Sequence, residues 1–292
     1  MFPRGVLVML LAAVIFAVMS AMARGLPGLS CYAIASVRFV VGGLAMMAVF
    51  SLGIREMRWT NWPWIIARGI SGGMAVMMYF WAISHVGLSK AVLYNCTSVI
   101  FSALFAVPFL REHISARHWA TVAVALAGIA LVTGVQDLSV SMTDLTALSC
   151  GLFSGFAYVC ITKCRRTDSS TNIFWSQCLF GLAIVGWPAF RTWVAPSAVQ
   201  WMMLLAIALF ATAGQLAMTY AYKFTGAAYG SLLGLLTPVI GTAIGILYFK
   251  EPPSAGFFMG AALILVACGY LSFNPVSRAV RGLAVAEKCG CV

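Results

Sequence analysis

Ten apolar runs of membrane-crossing length recur along this chain, and no other feature limits its fold so tightly. They cover residues 5–23, 31–50, 64–86, 91–110, 119–135, 144–162, 173–190, 201–222, 227–249 and 256–273. A helix that crosses a bilayer needs about 20 apolar residues, because it rises ~1.5 Å per residue through ~30 Å of hydrocarbon. Backbone polar groups have no water there, so each span must bond its own amides and carbonyls as a helix. The only other solution, a closed barrel, writes alternating ~10-residue strands, and these continuous runs do not alternate. Charged residues make up 9% of the chain and hydrophobic ones 62%, at a mean hydropathy of +0.98. A soluble domain carries roughly 25% charged residues. The expected class is therefore all-α integral membrane, with connections too short for a soluble domain.

The formal net charge of +11 does not describe a nucleic-acid binder, because most basic residues stand singly at span ends rather than on one stripe or face. Their distribution reports topology. With the N-terminus in the cytoplasm, twelve of the eighteen Lys and Arg residues fall on the cytoplasmic side and four on the outer side. Arg38 and Arg68 lie within spans. The excess of positive charge on the inside places both termini in the cytoplasm, as an even number of spans requires. The first run has some marks of a signal peptide, with Arg4 before it and Ala21-Met22-Ala23 at its end. Its length and its place in the repeat below assign it instead as the first span. Most of the nine cysteines lie within or beside apolar runs and read as small buried hydrophobes, not as a disulfide framework. Cys289 and Cys291 in the tail supply two ligands, which do not make a metal site. Neither a metal nor a cofactor is expected.

An internal repeat runs at an offset of 139 positions. Arg111-Glu112 matches Lys250-Glu251, Ser115-Ala116 matches Ser254-Ala255, and Gly42 and Gly87 match Gly181 and Gly226. Each copy holds five spans. Five is odd, so the second copy enters the membrane upside down, the inverted-repeat plan of many secondary transporters. The chain then divides into a first five-helix repeat (1–135), a short outer loop (136–143), a second repeat (144–273) and a basic cytoplasmic tail (274–292).

These motifs resemble the drug/metabolite transporter superfamily, specifically its ten-helix EamA-type members. Arg38-Phe39 lies in the second span, Tyr79-x-x-Ala82 leads to Gly87 in the third, and the fourth closes on Leu110-Arg111-Glu112. Gly226-Ala227-Ala228, Leu235-x-x-Pro238-Val239 and Phe249-Lys250-Glu251 complete the pattern in the second half. Val99 stands where the first half of such proteins often has the counterpart of Pro238. The resemblance implies a bacterial inner-membrane carrier with a central cavity lined by the third, fourth, eighth and ninth spans and by the first and sixth. It implies a small organic substrate such as an amino acid, with export favoured. Import of S-adenosylmethionine or riboflavin, and efflux of a metallophore or drug, are the alternatives within the family.

Polar side chains in spans are expensive and mark function or interhelical bonding. Tyr94, Asn95, Ser98 and Ser102 share one face of the fourth span, and the repeat partner of Ser98 is Thr237. Gln215 and Tyr222 share a face of the eighth, and Tyr79 and Tyr158 add aromatic groups. Together, Tyr79, Tyr94, Asn95, Ser98, Tyr158, Gln215, Tyr222 and Thr237 are the candidate cavity lining. Arg38, whose repeat partner is Gln177, is either a carboxylate anchor through the paired donors of its guanidinium or a structural group. Arg68 falls near a cytoplasmic helix start, where snorkelling explains it. Pro238 is a candidate hinge, since it frees a carbonyl one turn earlier. Arg111-Glu112 and Lys250-Glu251 are candidate gate ion pairs on opposite sides. All seven acids lie at span ends or in loops, so no buried proton relay is expected.

Intramembrane enzymes need clustered acids, metal ligands or a base-paired nucleophile, and the chain has no such cluster. A membrane scaffold or sensor is the non-transporter alternative, and the inverted repeat argues against it. The partners expected are the lipid bilayer and a small-molecule substrate, with no nucleic acid; a homodimer and a monomer are both compatible with the sequence.

Overall fold

The computed structural model describes residues 4–26, 28–134, 141–248, 250, 252 and 254–273. The described residues form helices and short connections. The order is α1 (Arg4–Arg24), α2 (Cys31–Ser51), α3 (Trp62–Val86), α4 (Leu88–Cys96), α5 (Ser98–Leu110), α6 (Ala116–Thr133), α7 (Met142–Cys164), α8 (Ser170–Arg191), α9 (Ala198–Thr225), α10 (Ala227–Gly234), α11 (Leu236–Tyr248) and α12 (Ala255–Phe273). Nine spans among the described residues are long and apolar enough to cross a membrane, with α4–α5 and α10–α11 each counting as one. The helix at 255–273 supplies a shorter tenth. The protein is an all-α integral membrane protein.

Local chemistry sets where the helices begin. Ser30, Ser115, Ser141, Ser169 and Ser197 stand just before α2, α6, α7, α8 and α9, and each hydroxyl accepts a bond from an amide in the first turn. Asp144 and Gln200 return the favour to the Ser141 and Ser197 amides, which completes a capping box at each site. Such caps satisfy donors that the first turn of any helix leaves open.

Two spans are broken where the sequence predicted continuous helices. The fourth breaks at Thr97, whose hydroxyl donates to the Tyr94 carbonyl at 2.6 Å. The ninth breaks at Leu235. Pro238 is not at the break: it falls in the first turn of α11, where a missing amide costs little. The fourth span breaks at the matching place with no proline there. The break at Thr97 seats on two glycines of α7. A Cβ on Gly151 would overlap Thr97 Oγ1 and the Tyr94 carbonyl, and one on Gly155 would meet the Ser102 amide at 2.7 Å.

Unusual backbone recurs at the 139-residue offset. Gly87 (φ 83°) and Gly226 (φ 73°) join α3 to α4 and α9 to α10, a conformation that favours glycine. Arg111 (φ 56°) and Lys250 (φ 55°) are both left-handed, at a cost of about 1–2 kcal/mol each for a side-chain-bearing residue.

The packing places α2 against α8 and α9, α3 against α7 and α8, α1 against α9 and α11, and α6 against α12. Glycines set the closest approaches. Gly73 on α3 faces Gly181 on α8, so that a Cβ at Gly73 would lie 2.9 Å from the Gly181 Cα. Gly128 on α6 and Gly260 on α12 each point at the other's carbonyl. Gly256 and Gly260 on α12 also serve close approach, while Gly234 and Gly241 face open space. Helix pairs in lipid gain from such small-residue contacts because apolar side chains are no better solvated by protein than by lipid.

Candidate functional site

A narrow crevice lies inside the bundle between α2, α8 and α9, lined by Arg38, Phe39, Phe174, Gln177, Ala211 and Gln215. It leaves no room for a water-sized sphere, so the bundle is closed around it. Arg38 lies seven residues into α2 and Gln177 seven into α8. At ~1.5 Å per residue, each sits ~10 Å below its own helix start. The two residues are 139 apart in sequence, and the fold brings them to one place. Gln215 is 6% exposed, and its Nε2 has no hydrogen-bond partner among the described residues; the same holds for Arg38 Nε.

Arg68 corrects an expectation. It does not snorkel to the surface but is 2% exposed, and its Nη2 donates to Gln177 Oε1 at 2.7 Å. Its Nε and Nη1 have no partner among the described residues. The side chain folds along α3 over Gly72, where a Cβ would overlap Nη1 and lie 3.3 Å from Gln177 Cγ. An alanine at position 72 would therefore displace the guanidinium. Arg68 also lies within electrostatic reach of Tyr158 and Tyr222, and both arginines lie within reach of Cys178. The signal the sequence offered was an Arg four residues before a Gly, on a helix with glycines on the face toward α8.

The loops hold α3 and α8 in register. The Asp168 carboxylate accepts the amides of Thr60 (2.7 Å) and Asn61 (3.2 Å), and Asn172 Nδ2 donates to the Arg58 carbonyl at 2.7 Å. These bonds tie the start of α8 to the start of α3, so Arg68 and Gln177 meet at a fixed height. A polar hollow of about 490 Å3 opens between the same loops, bordered by Arg55, Arg58, Asp168 and Asn172.

The other candidates separate into groups. Tyr158 on α7 and Tyr222 on α9 stack with centroids 5.4 Å apart, and Ser98 lies in hydrogen-bonding reach of Tyr158. With Arg68 they form one buried polar and aromatic region beside the crevice. Tyr79 and Tyr94 pack in a separate cluster between α3, α4 and α7. Tyr94 turns its hydroxyl to Asp144 Oδ1 at 2.8 Å, and Lys90 Nζ lies 3.8 Å from the same oxygen. Asn95 accepts from the Ser154 hydroxyl at 3.0 Å, a bond between α4 and α7. Ser102 pairs with Ser231 on α10 at 2.6 Å. Thr237 is half-buried on α11, away from the crevice lining. The crevice thus uses the second, seventh and eighth spans, where the resemblance had implied chiefly the third, fourth, eighth and ninth.

The gate pairs also differ from expectation. Glu112 caps the start of α10: its Oε1 accepts from the Ala227 amide at 3.1 Å and its Oε2 from Ala228 at 3.5 Å. The open amides and the positive end of the helix dipole pull toward the ionised carboxyl, while burial opposes them and outweighs them. Arg111 supplies the left-handed turn that aims it. Lys250 repeats that turn; Glu251 lies outside the described residues, as do the tail cysteines.

Comparison with known proteins agrees with this architecture. The model of the EamA-like transporter family matches the chain twice, over residues 3–134 and 141–273. The pseudopaline exporter CntI of Pseudomonas aeruginosa is 27% identical over 271 residues, covering 92% of this chain and 95% of that protein. A riboflavin transporter of Brucella anthropi is 25% identical over 226 residues, covering 75% and 79%. A solved crystal structure superposes with a TM-score of 0.80 over 97% of this chain and 99% of its own, at 17% identity, a likeness of fold. The chain belongs to the EamA-like transporter family and is a multi-pass membrane transporter rather than an enzyme.

Proposed function

We propose that this transporter exports a small organic metabolite, an amino acid or similar amphiphile, by alternating access around the crevice of Arg38, Gln177 and Gln215. The observation that carries this reading is a set of buried, unpartnered polar atoms on helices of both halves, meeting in the interior of a membrane bundle. Unbonded donors in such a place are costly unless a ligand completes them. The paired matches of the family model and the backbone conformations that recur at an offset of 139 support a division into repeats at 1–135 and 144–273. If the repeats are inverted, the molecule has two near-equivalent states, one open to each side. The cap of Glu112 on α10 and the Tyr94–Asp144–Lys90 contact lie at opposite ends of the bundle, and each would break when its own side opens. Pro238 and the break at Leu235 are the proposed hinge of the second repeat, and Thr97 that of the first. Bacterial relatives and the distribution of Lys and Arg favour an inner-membrane location with both termini in the cytoplasm. Import remains the second reading, favoured by the likeness to riboflavin transporters.

The test is reconstitution in liposomes with a labelled panel of amino acids, S-adenosylmethionine, riboflavin and nucleosides. Saturable flux of one compound, lost in Gln215→Ala, supports the reading. Flux that is saturable but unchanged in Gln215→Ala and Arg38→Gln moves the site elsewhere.

A further inference from the structure

Two guanidinium groups stand in the interior of this bundle without an acid. Every carboxylate of the chain lies at a span end or in a loop. The side chains within electrostatic reach of Arg38 and Arg68 are thiols and tyrosines, not carboxylates. Arg68 spends one nitrogen on Gln177 and leaves Nε and Nη1 unbonded, and Arg38 leaves Nε unbonded. A neutral amide is a weak partner for a cation shielded from water. Gln215 adds an unbonded donor amide, and Gln177 joins Arg68 to the crevice. All the unpartnered polar atoms of this group are donors, and the set has positive charge in excess.

From this composition we infer that the carried solute is an organic carboxylate, whose anionic group is held between Arg68 and Arg38 with the amides of Gln177 and Gln215 at its sides. The inference rests on the carrier reading above and specifies its substrate class. A carboxylate presents two oxygens in the plane of a guanidinium fork, so it can take up paired donors that a point charge cannot. Phe39 and Phe174 line the same crevice and suit an apolar body behind the charged group. Gly72 leaves the space into which the Arg68 guanidinium folds. The charge also bears on direction. A carboxylate solute of net negative charge that leaves a cell with a negative interior moves down the electrical gradient. Efflux of such a solute therefore needs no midplane proton relay, which the acids of this chain do not provide.

The test uses the purified full-length protein in detergent, with its Tm measured against rising benzoate, succinate, benzamide, phosphate and chloride at matched ionic strength. A ligand that binds only the folded state raises Tm with concentration. Benzoate or succinate is expected to raise Tm by several degrees, with benzamide and chloride without effect. Arg68→Gln and Arg38→Gln should each abolish the shift, and Arg68→Lys should weaken it. Without ligand, Arg68→Gln should melt at or above the wild type, because it removes a buried charge that lacks a counter-ion; a guanidinium with a purely structural role would leave the variant melting lower. Absence of any carboxylate-specific shift, or an equal shift with benzamide, overturns the inference. So does a shift with phosphate alone. Flux of a neutral compound without carboxylate stabilisation overturns this inference and leaves the carrier reading standing. Carboxylate stabilisation with no flux of any compound, benzoate and succinate included, overturns the carrier reading and the solute assignment with it, and leaves only a carboxylate-binding site between the two arginines.

Discussion

Gly72 and Glu112 show how single residues set the behaviour of a site they do not line. The Arg68 guanidinium occupies the volume that a side chain at position 72 would fill. Gly72→Ala should therefore lower transport by about tenfold to a hundredfold, the scale of a misplaced contact group. Gly186→Ala, where a Cβ meets nothing within 4 Å, should leave it unchanged, and initial rates in the liposome assay compare the two. Glu112 is a pH-sensitive contact. Burial raises its carboxyl above the ordinary Glu range, against the pull of the Ala227 and Ala228 amides and of Arg166. The closed form then binds a proton more readily than a form in which Glu112 is solvated. Stability from this group is present in full below the ordinary Glu pKa of about 4.3 and is lost as pH rises through the raised value. Glu112→Gln removes the titration, so its Tm advantage over the wild type at pH 7 should narrow as pH falls. A constant difference across that range would assign Glu112 a role independent of its proton.

At the scale of elements, α3 and α8 form the pair that matters most for the site, and their contact depends on glycines. The Gly73 Cβ would lie 2.8 Å from Ile184 Cδ1 and 2.9 Å from the Gly181 Cα. Gly73→Val should force the helices apart and cost about 1–3 kcal/mol, as overpacking does, visible as a lower Tm and a lost Arg68–Gln177 bond. The breaks at Thr97 and Leu235 test differently. Pro238 sits within the first turn of α11, so Pro238→Ala should leave Tm nearly unchanged. The replacement supplies an amide that can bond back to Gly234 and stiffen the break. A fall in transport with Tm retained fits a hinge; transport equal to the wild type removes that role from Pro238. The sequence marked the ninth span near its break with Pro238 but not the fourth, because a break made by a residue of ordinary helical φ and ψ, as at Thr97 (φ −63°, ψ −11°), leaves no mark in composition.

For the whole molecule, the proposed orientation, with both termini in the cytoplasm and the loops at Leu52 and Val194 on opposite sides, rests on the charge distribution. Reporter domains fused at either terminus should both report the cytoplasm. Cysteines placed at Leu52 and Val194, both exposed in opposite loops, should label from opposite sides of the membrane. Labelling of both from one side would contradict the topology on which alternating access depends. Closure has the same scale. Contacts at the two ends, Glu112 on α10 and Asp144 with Tyr94 and Lys90, hold together in this conformation, and the crevice of Arg38, Gln177 and Gln215 is narrow. Under the proposed alternating access, one end releases while the other stays shut.

The sequence by itself determined the class, the spans and the family. Those follow from run length, hydropathy and a fixed offset between motifs, which are local or periodic properties that lipid makes nearly obligatory. It also singled out Arg38, Gln177 and Gln215, since polar groups in apolar runs stand out on any reading. What only the tertiary structure decided is which of the polar residues meet. Arg68 looked like a surface anchor because its distance from the helix start is short, yet α8 and the Asp168 clasp cover it and turn it to Gln177. Tyr94 and Asn95 are candidate cavity lining by sequence, and the structure adds that each bonds to α7. The reason is physical: which way a helix faces depends on what packs against it, and in lipid that is decided by close small-residue contacts between distant segments rather than by the apolar pattern of any one of them.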